Sequence, residues 1–136
     1  MKGNNDKINA VNAWLKKAEN DLRTSEFIMT MDDPPYDTVC FHAQQCAEKH
    51  IKGFLTFHEI DFPKTHSIED LVLLCKDIAP SLESEIGNIE VLSIYAVETR
   101  YPSEIYYEIP EEKAHEAIEF AKKVKSVVLK YLEGKI

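Results

Sequence analysis

Apolar residues return along this chain at the spacing of a helix face, and they do so in five successive segments. In the first, over about 8–31, Val11, Trp14, Leu15, Ala18, Leu22, Ser25 and Met29 share one side. Asp32-Asp33-Pro34-Pro35 closes it, because proline blocks helix continuation and restricts the residue before it. In the second, over about 36–58, Cys40, Ala43, Gln44, Ala47, Ile51, Phe54 and Leu55 form the inner face. Gln45, Lys49 and Lys52 project roughly the other way. The loop Asp61-Phe62-Pro63-Lys64 follows.

A third helix is expected from Ser67 to near Ala79, before Pro80. Ser67 suits the N-cap, with Asp70 three residues on as a capping-box partner. Ile68, Leu71, Val72, Leu74, Cys75 and Ile78 make this segment strongly apolar. A fourth runs over about 81–100, with Ile86, Ile89, Ser93, Ala96, Val97 and Arg100 on one face and Pro102 beyond its end. The fifth, over about 111–132, opens with Pro110 and two glutamates, which suit the positive end of a helix. Its buried stripe is Ala114, Ala117, Ile118, Ala121, Val124, Val128 and Leu132.

No alternating, strand-length segment competes with this pattern, and the connections are short. The expectation is an all-α, up-and-down helical bundle of four long helices plus one short helix, a single domain over residues 1–136. Trp14, Leu22, Ile51, Leu71, Ile89, Ala117 and Val128 are expected in its core. Val91, Leu92 and Tyr95 lie beside the core stripe of the fourth helix, and Phe27 lies off that of the first. Surplus apolar faces of this kind point to a symmetric homodimer.

Composition narrows the setting. A 44% hydrophobic and 29% charged chain of 136 residues can bury a core of useful size. The net charge of −8 argues against capture of duplex DNA over a broad basic surface. Cys40, Cys46 and Cys75 are odd in number and fall within helical patterns, so they read as reduced thiols in a cytoplasmic protein. The opening MKGNNDKINA lacks the apolar run of a signal peptide, and no segment is apolar enough to span a bilayer.

Several side chains stand out chemically. Arg100 falls on the inner face of the fourth helix, where a guanidinium needs a counter-anion. That anion is either a carboxylate such as Glu48 or the phosphate of a ligand, which the arginine fork matches with two hydrogen bonds. Tyr101, Tyr106 and Tyr107 follow; they can stack a base or bond a phosphate, or simply pack on the bundle. On the second helix, Gln44 is turned inward and must find partners. Glu48 and Lys49 are either part of the same polar site or a solvated rim. His42, Cys46 and His50 line one side of that helix, but the first and last stand about 12 Å apart, so one metal ion cannot take all three. His66 reads as a capping or loop-packing residue. No nucleophile elbow, Walker loop or dinucleotide turn is present, and no cofactor or metal is implied.

Trp14…Ala18…Asp21-Leu22, then CFHAQQCAEKHIKGFL at 40–55, Thr65-His66-Ser67-Ile68, Arg100-Tyr101-Pro102 and an alanine-rich last helix together resemble the HEPN domain, over about residues 10–132. The resemblance implies a bundle of four long helices plus a short one, usually a homodimer, linked to nucleotide or RNA binding. It implies membership of a toxin–antitoxin pair with a small nucleotidyltransferase protein. Ribonuclease members carry an arginine followed, after four to six residues, by a histidine. Arg100 matches the arginine, but Glu104, Ile105, Tyr106 and Tyr107 follow it, and the next histidine is His115. Without that imidazole, no evident group moves protons for attack on a phosphodiester. The resemblance therefore implies a nucleotide- or partner-binding module with Arg100, Tyr101, Tyr106, Tyr107, Gln44 and Glu48 as candidate ligand-binding residues. A metal-independent ribonuclease toxin and a purely structural interaction domain remain the alternatives.

Overall fold

The structure, a computed structural model, describes residues 3–87 and 108–136. These residues form five helices and no strand: α1 (Asn4–Ile28), α2 (Tyr36–Phe57), α3 (Ile68–Leu74), α4 (Leu82–Ile86) and α5 (Glu111–Leu132). The all-helical bundle expected from the periodicity is what forms.

The central element is α2. It packs along both α1 and α5, and α3 leans on it, while α4 packs on α5. The helix carries apolar residues on almost every side: Val39, Cys40, Ala43, Cys46, Ala47, Ile51 and Leu55 are all fully buried. A helix apolar nearly all round has to be enclosed. Contacts fix the directions. Gly53 of α2 meets α1 at Val11, Trp14 and Leu15, while His42 and Lys49 meet it at Asp21. These two helices are therefore antiparallel. Cys40 reaches Lys113, and Phe54 reaches Tyr131, so α5 runs parallel to α2.

Gly53 is what lets α1 and α2 approach. A Cβ placed there would sit 3.3 Å from both Leu15 Cδ2 and Trp14 Cβ. A larger side chain would force the helices apart.

The ends of the elements follow local chemistry. Ser67 caps α3, its hydroxyl accepting from the Asp70 amide at 3.3 Å. The return bond of a capping box is not made: the Ser67 amide donates to Thr65 Oγ1 at 3.0 Å instead. Asp33 takes a positive φ of 48° in the turn that follows α1.

Several expectations are corrected. Helix α1 begins at Asn4 rather than near Ile8 and ends at Ile28, because the chain turns before the prolines. Helix α3 stops at Leu74 rather than Ala79, with turns beyond it, and this leaves Leu74 and Ile78 each 37% exposed. The expected helix from Ser81 to Arg100 does not run through Gly87. That residue adopts φ +88°, a left-handed backbone that ends α4. Trp14 is half-buried rather than in the core. Leu22, Ile51, Leu71, Ala117 and Val128 are in it. Ile89 and the Val91, Leu92 and Tyr95 face lie outside the described residues.

Burial also fixes the state of the interior titratable groups. All three cysteines are free, and burial pushes each thiol up to about 12. The imidazole of His50 is 1% exposed; its Nδ1 donates to the Cys46 carbonyl at 2.9 Å. Burial pushes its pKa down to about 4, outweighing that hydrogen bond.

The sign of the resulting pH dependence is definite. Between pH 6.5 and about 4 the unfolded chain protonates this histidine while the folded protein does not. Stability is therefore fully present above 6.5 and falls with pH through that window. The loss attributable to His50 is about 3 kcal/mol. His50→Asn retains a donor for the Cys46 carbonyl but cannot titrate. Urea unfolding from pH 7 to 4 is expected to show a shallower loss of stability in His50→Asn than in wild type; parallel curves would refute the assignment.

Candidate functional site

The polar run of α2 is turned toward the interior and the start of α3. Gln44, Glu48 and Lys52 recur every four residues, so they stack along one line of the helix. Gln44 is fully buried, Glu48 is 2% exposed and Lys52 8%. Polar groups at that depth need partners, and each has them. The Gln44 amide nitrogen donates to Glu48 Oε1 at 3.1 Å and to the His66 carbonyl at 3.0 Å. Its oxygen accepts from Gln45 Nε2 at 2.9 Å. Glu48 Oε1 also accepts from His66 Nδ1 at 3.0 Å, and Oε2 accepts from Lys52 Nζ at 3.0 Å.

Two rings enclose the lysine. Its Nζ lies 5.6 Å from the centroids of both Trp14 and Phe62. Those rings meet edge to face at 6.1 Å. The ammonium thus has a carboxylate on one side and π-faces on the others. This cluster ties α1, α2, the loop after α2 and the start of α3 to one carboxylate.

A second node joins α1 to α2. Asp21 receives His42 Nδ1 at 2.9 Å on one oxygen and Lys49 Nζ at 2.6 Å on the other. His50 lies apart from both nodes, against Cys46. Among the described residues, no group of three or more His, Cys, Asp or Glu is disposed to hold a metal ion.

Of the candidate ligand-binding residues, Gln44 and Glu48 are brought into direct contact. Arg100, Tyr101, Tyr106 and Tyr107 lie outside the described residues. Lys52 and Lys49 do not face away from the site: one pairs with Glu48, the other with Asp21. Glu48 and Lys49 are accordingly not a solvated rim. His66 goes beyond capping or loop packing, since its ring and its carbonyl both enter the cluster. Lys52 had a local signal, its spacing of four from Glu48. His66 and Phe62 had none, because only the path of the loop brings them to α2.

An unpaired charge left at this depth is costly. Glu48→Ala is expected to destabilise the fold by about 3–5 kcal/mol, since Lys52 loses its counter-ion. Adding Lys52→Met should recover much of that loss in the same thermal melt. A double variant no better than Glu48→Ala would show that the pair's charge is not what matters.

The HEPN domain family profile matches residues 11–131 of the chain. The candidate toxin MJ1304 of Methanocaldococcus jannaschii is 29% identical over 136 residues, covering 90% of this chain and 88% of that protein. The crystal structure of ST0689, an archaeal HEPN homologue, superposes with a TM-score of 0.68 at 28% identity, covering 90% of this chain and 98% of the other. With the profile spanning α1 through α5 almost in full, the chain belongs to the HEPN domain family.

Proposed function

We propose that the protein is a toxin-like HEPN module that binds a phosphate-bearing nucleotide through Arg100 and works in a pair with a small nucleotidyltransferase protein. The observation that carries this reading is the order Arg100-Tyr101-Pro102 followed by Tyr106-Tyr107, with no histidine four to six residues after the arginine. A guanidinium fork and phenols suit recognition of phosphate and base. They supply no imidazole for proton transfer. In this reading the buried Gln44–Glu48 pair is structural rather than reacting, because its hydrogen-bonding capacity is spent within the bundle. The toxin-like role draws on the likeness to the candidate toxin of Methanocaldococcus jannaschii.

A metal-independent ribonuclease toxin is the second reading, favoured by Arg100 standing at the arginine position of the ribonuclease pattern. An RNA-cleavage assay in the presence of a chelator separates the two: binding without cleavage supports the first, and cleavage lost in Arg100→Ala supports the second.

The primary test is titration calorimetry with adenine and guanine mononucleotides. Losing one charged hydrogen-bond contact costs about 1.5–3 kcal/mol. Arg100→Ala is therefore expected to weaken binding at least about tenfold, with an unchanged melting profile. Equal binding by the variant, or no wild-type binding at millimolar nucleotide, would leave Arg100 a structural residue.

We further propose a symmetric homodimer. Phe27, 73% exposed at the end of α1, supports an apolar contact between copies. Light scattering is expected to give twice the 15.6 kDa chain mass. A constant 15.6 kDa across micromolar concentrations would exclude it.

A further inference from the structure

Helix α3 is apolar on two sides. Its inner side gives Ile68, Leu71, Val72 and Cys75 to the core, and Ala79 joins them from the turns beyond. Leu73, Leu74 and Ile78 are left outside: Leu73 is 64% exposed and the other two 37%. The turns carry the winding on past the helix, the Lys76 amide donating to the Leu73 carbonyl at 3.2 Å and the Ala79 amide to that of Cys75 at 2.8 Å. Seven large apolar side chains are exposed among the described residues, and three of them stand in this one stretch. A lone exposed leucine is ordinary, but a cluster marks a surface that another molecule covers.

The rim of this face is acidic. At the turn of an α-helix Asp70, Leu73, Leu74 and Asp77 fall within about 100° of arc. From Ser67 to Gly87 the charged residues are Glu69, Asp70, Asp77, Glu83 and Glu85 against Lys76 alone. Asp70, Asp77 and Glu83 form no ion pair among the described residues. Elsewhere in the bundle carboxylates are matched: Glu48 by Lys52, Asp21 by Lys49 and Glu26 by Lys122.

We infer that the outer face of α3 docks a basic amphipathic helix of a partner protein. Apolar side chains of that helix would sit on Leu73, Leu74 and Ile78, and its lysines or arginines against Asp70 and Asp77. The charge selects the occupant, since the same carboxylates repel anionic lipid and polyanions. A second copy of this chain fits poorly: among large apolar residues α1 exposes Phe27 alone and α5 Leu129 alone, so neither presents an apolar stripe flanked by cations. Residues 70–78 extend about 12 Å at 1.5 Å per residue, which engages two to three turns of the partner. A contact of that size gives a weak, exchangeable complex. The proposal uses neither Arg100 nor Phe27, so it fails or stands apart from the nucleotide and dimer readings.

The test is fluorescence anisotropy of the full-length chain with a labelled synthetic helix of about four turns. Its leucines recur at i, i+3, i+4 and i+7, with lysine at the other positions. Two control peptides replace the leucines by alanine or the lysines by glutamate, and each is expected to bind at least tenfold more weakly. Leu73→Ser should weaken binding of the leucine–lysine peptide about tenfold at every salt concentration. Asp70→Asn/Asp77→Asn should weaken it chiefly at low salt, where the rim charges are least screened. These side chains are exposed, so the melting profiles and mononucleotide titrations of both variants should match wild type. Met31→Ser, at an exposed apolar residue on another face, should bind as wild type does. No wild-type binding at millimolar peptide, equal binding by Leu73→Ser, equal binding of the leucine–glutamate peptide, or a loss in Met31→Ser as large as in Leu73→Ser would overturn the proposal. So would a Leu73→Ser variant whose mass by light scattering falls to half that of wild type, which would give the face to a second copy.

Discussion

The carboxylate of Glu48 organises this bundle. It sits on the most enclosed helix, 2% exposed, where an uncompensated charge is untenable. Its two oxygens are met by three donors from two parts of the chain: Gln44 and Lys52 on its own helix, and His66 from the loop that follows. That requirement holds the loop against α2 and sets where α3 begins. It also draws the Lys52 ammonium inward, and the ammonium in turn calls for the ring faces of Trp14 and Phe62. Trp14 is half-buried for that reason: one face serves the cluster while the residue remains near the surface.

Around this node the packing is set by close approach. Gly53 allows α1 to lie tight on α2, and Asp21 fastens the same pair of helices further along through His42 and Lys49. The glycine permits contact that any Cβ would crowd, while the ion pairs favour one register over its neighbours. Burial of a satisfied polar group contributes less to net stability than to choosing among apolar packings of similar energy. The interior thiols and His50, by contrast with the paired Glu48 and Lys52, are held neutral near pH 7 by burial.

The distribution of charge separates structural from available groups. Most carboxylates flanking α1 are paired with lysines from α2 or α5, whereas Asp70 and Asp77 on the outer side of α3 have no ion pair among the described residues. The chain's excess of acidic residues is felt on that face in particular, because net charge is a sum over the surface and a ligand meets only one face.

The helical class, the ends of α2 and α5, and most of the core could be read from the sequence. Apolar residues at a 3.6-residue spacing have only one way to be buried together, and proline and the N-cap serine act locally. Leu22, Ile51, Leu71, Ala117 and Val128 illustrate this. The inward turn of Gln44 could be read in the same way. The pattern could not show that Lys52 and Lys49 turn to meet carboxylates, since hydropathy ranks a lysine as outward whatever lies opposite it. Nor could it show the break at Gly87, because a glycine inside an apolar period is compatible with helix until the backbone takes positive φ. The entry of His66 into the cluster was decided by tertiary structure alone. A residue eighteen positions from Glu48 reaches it only through the path of the intervening loop, and periodicity carries no information beyond the element in which it is counted.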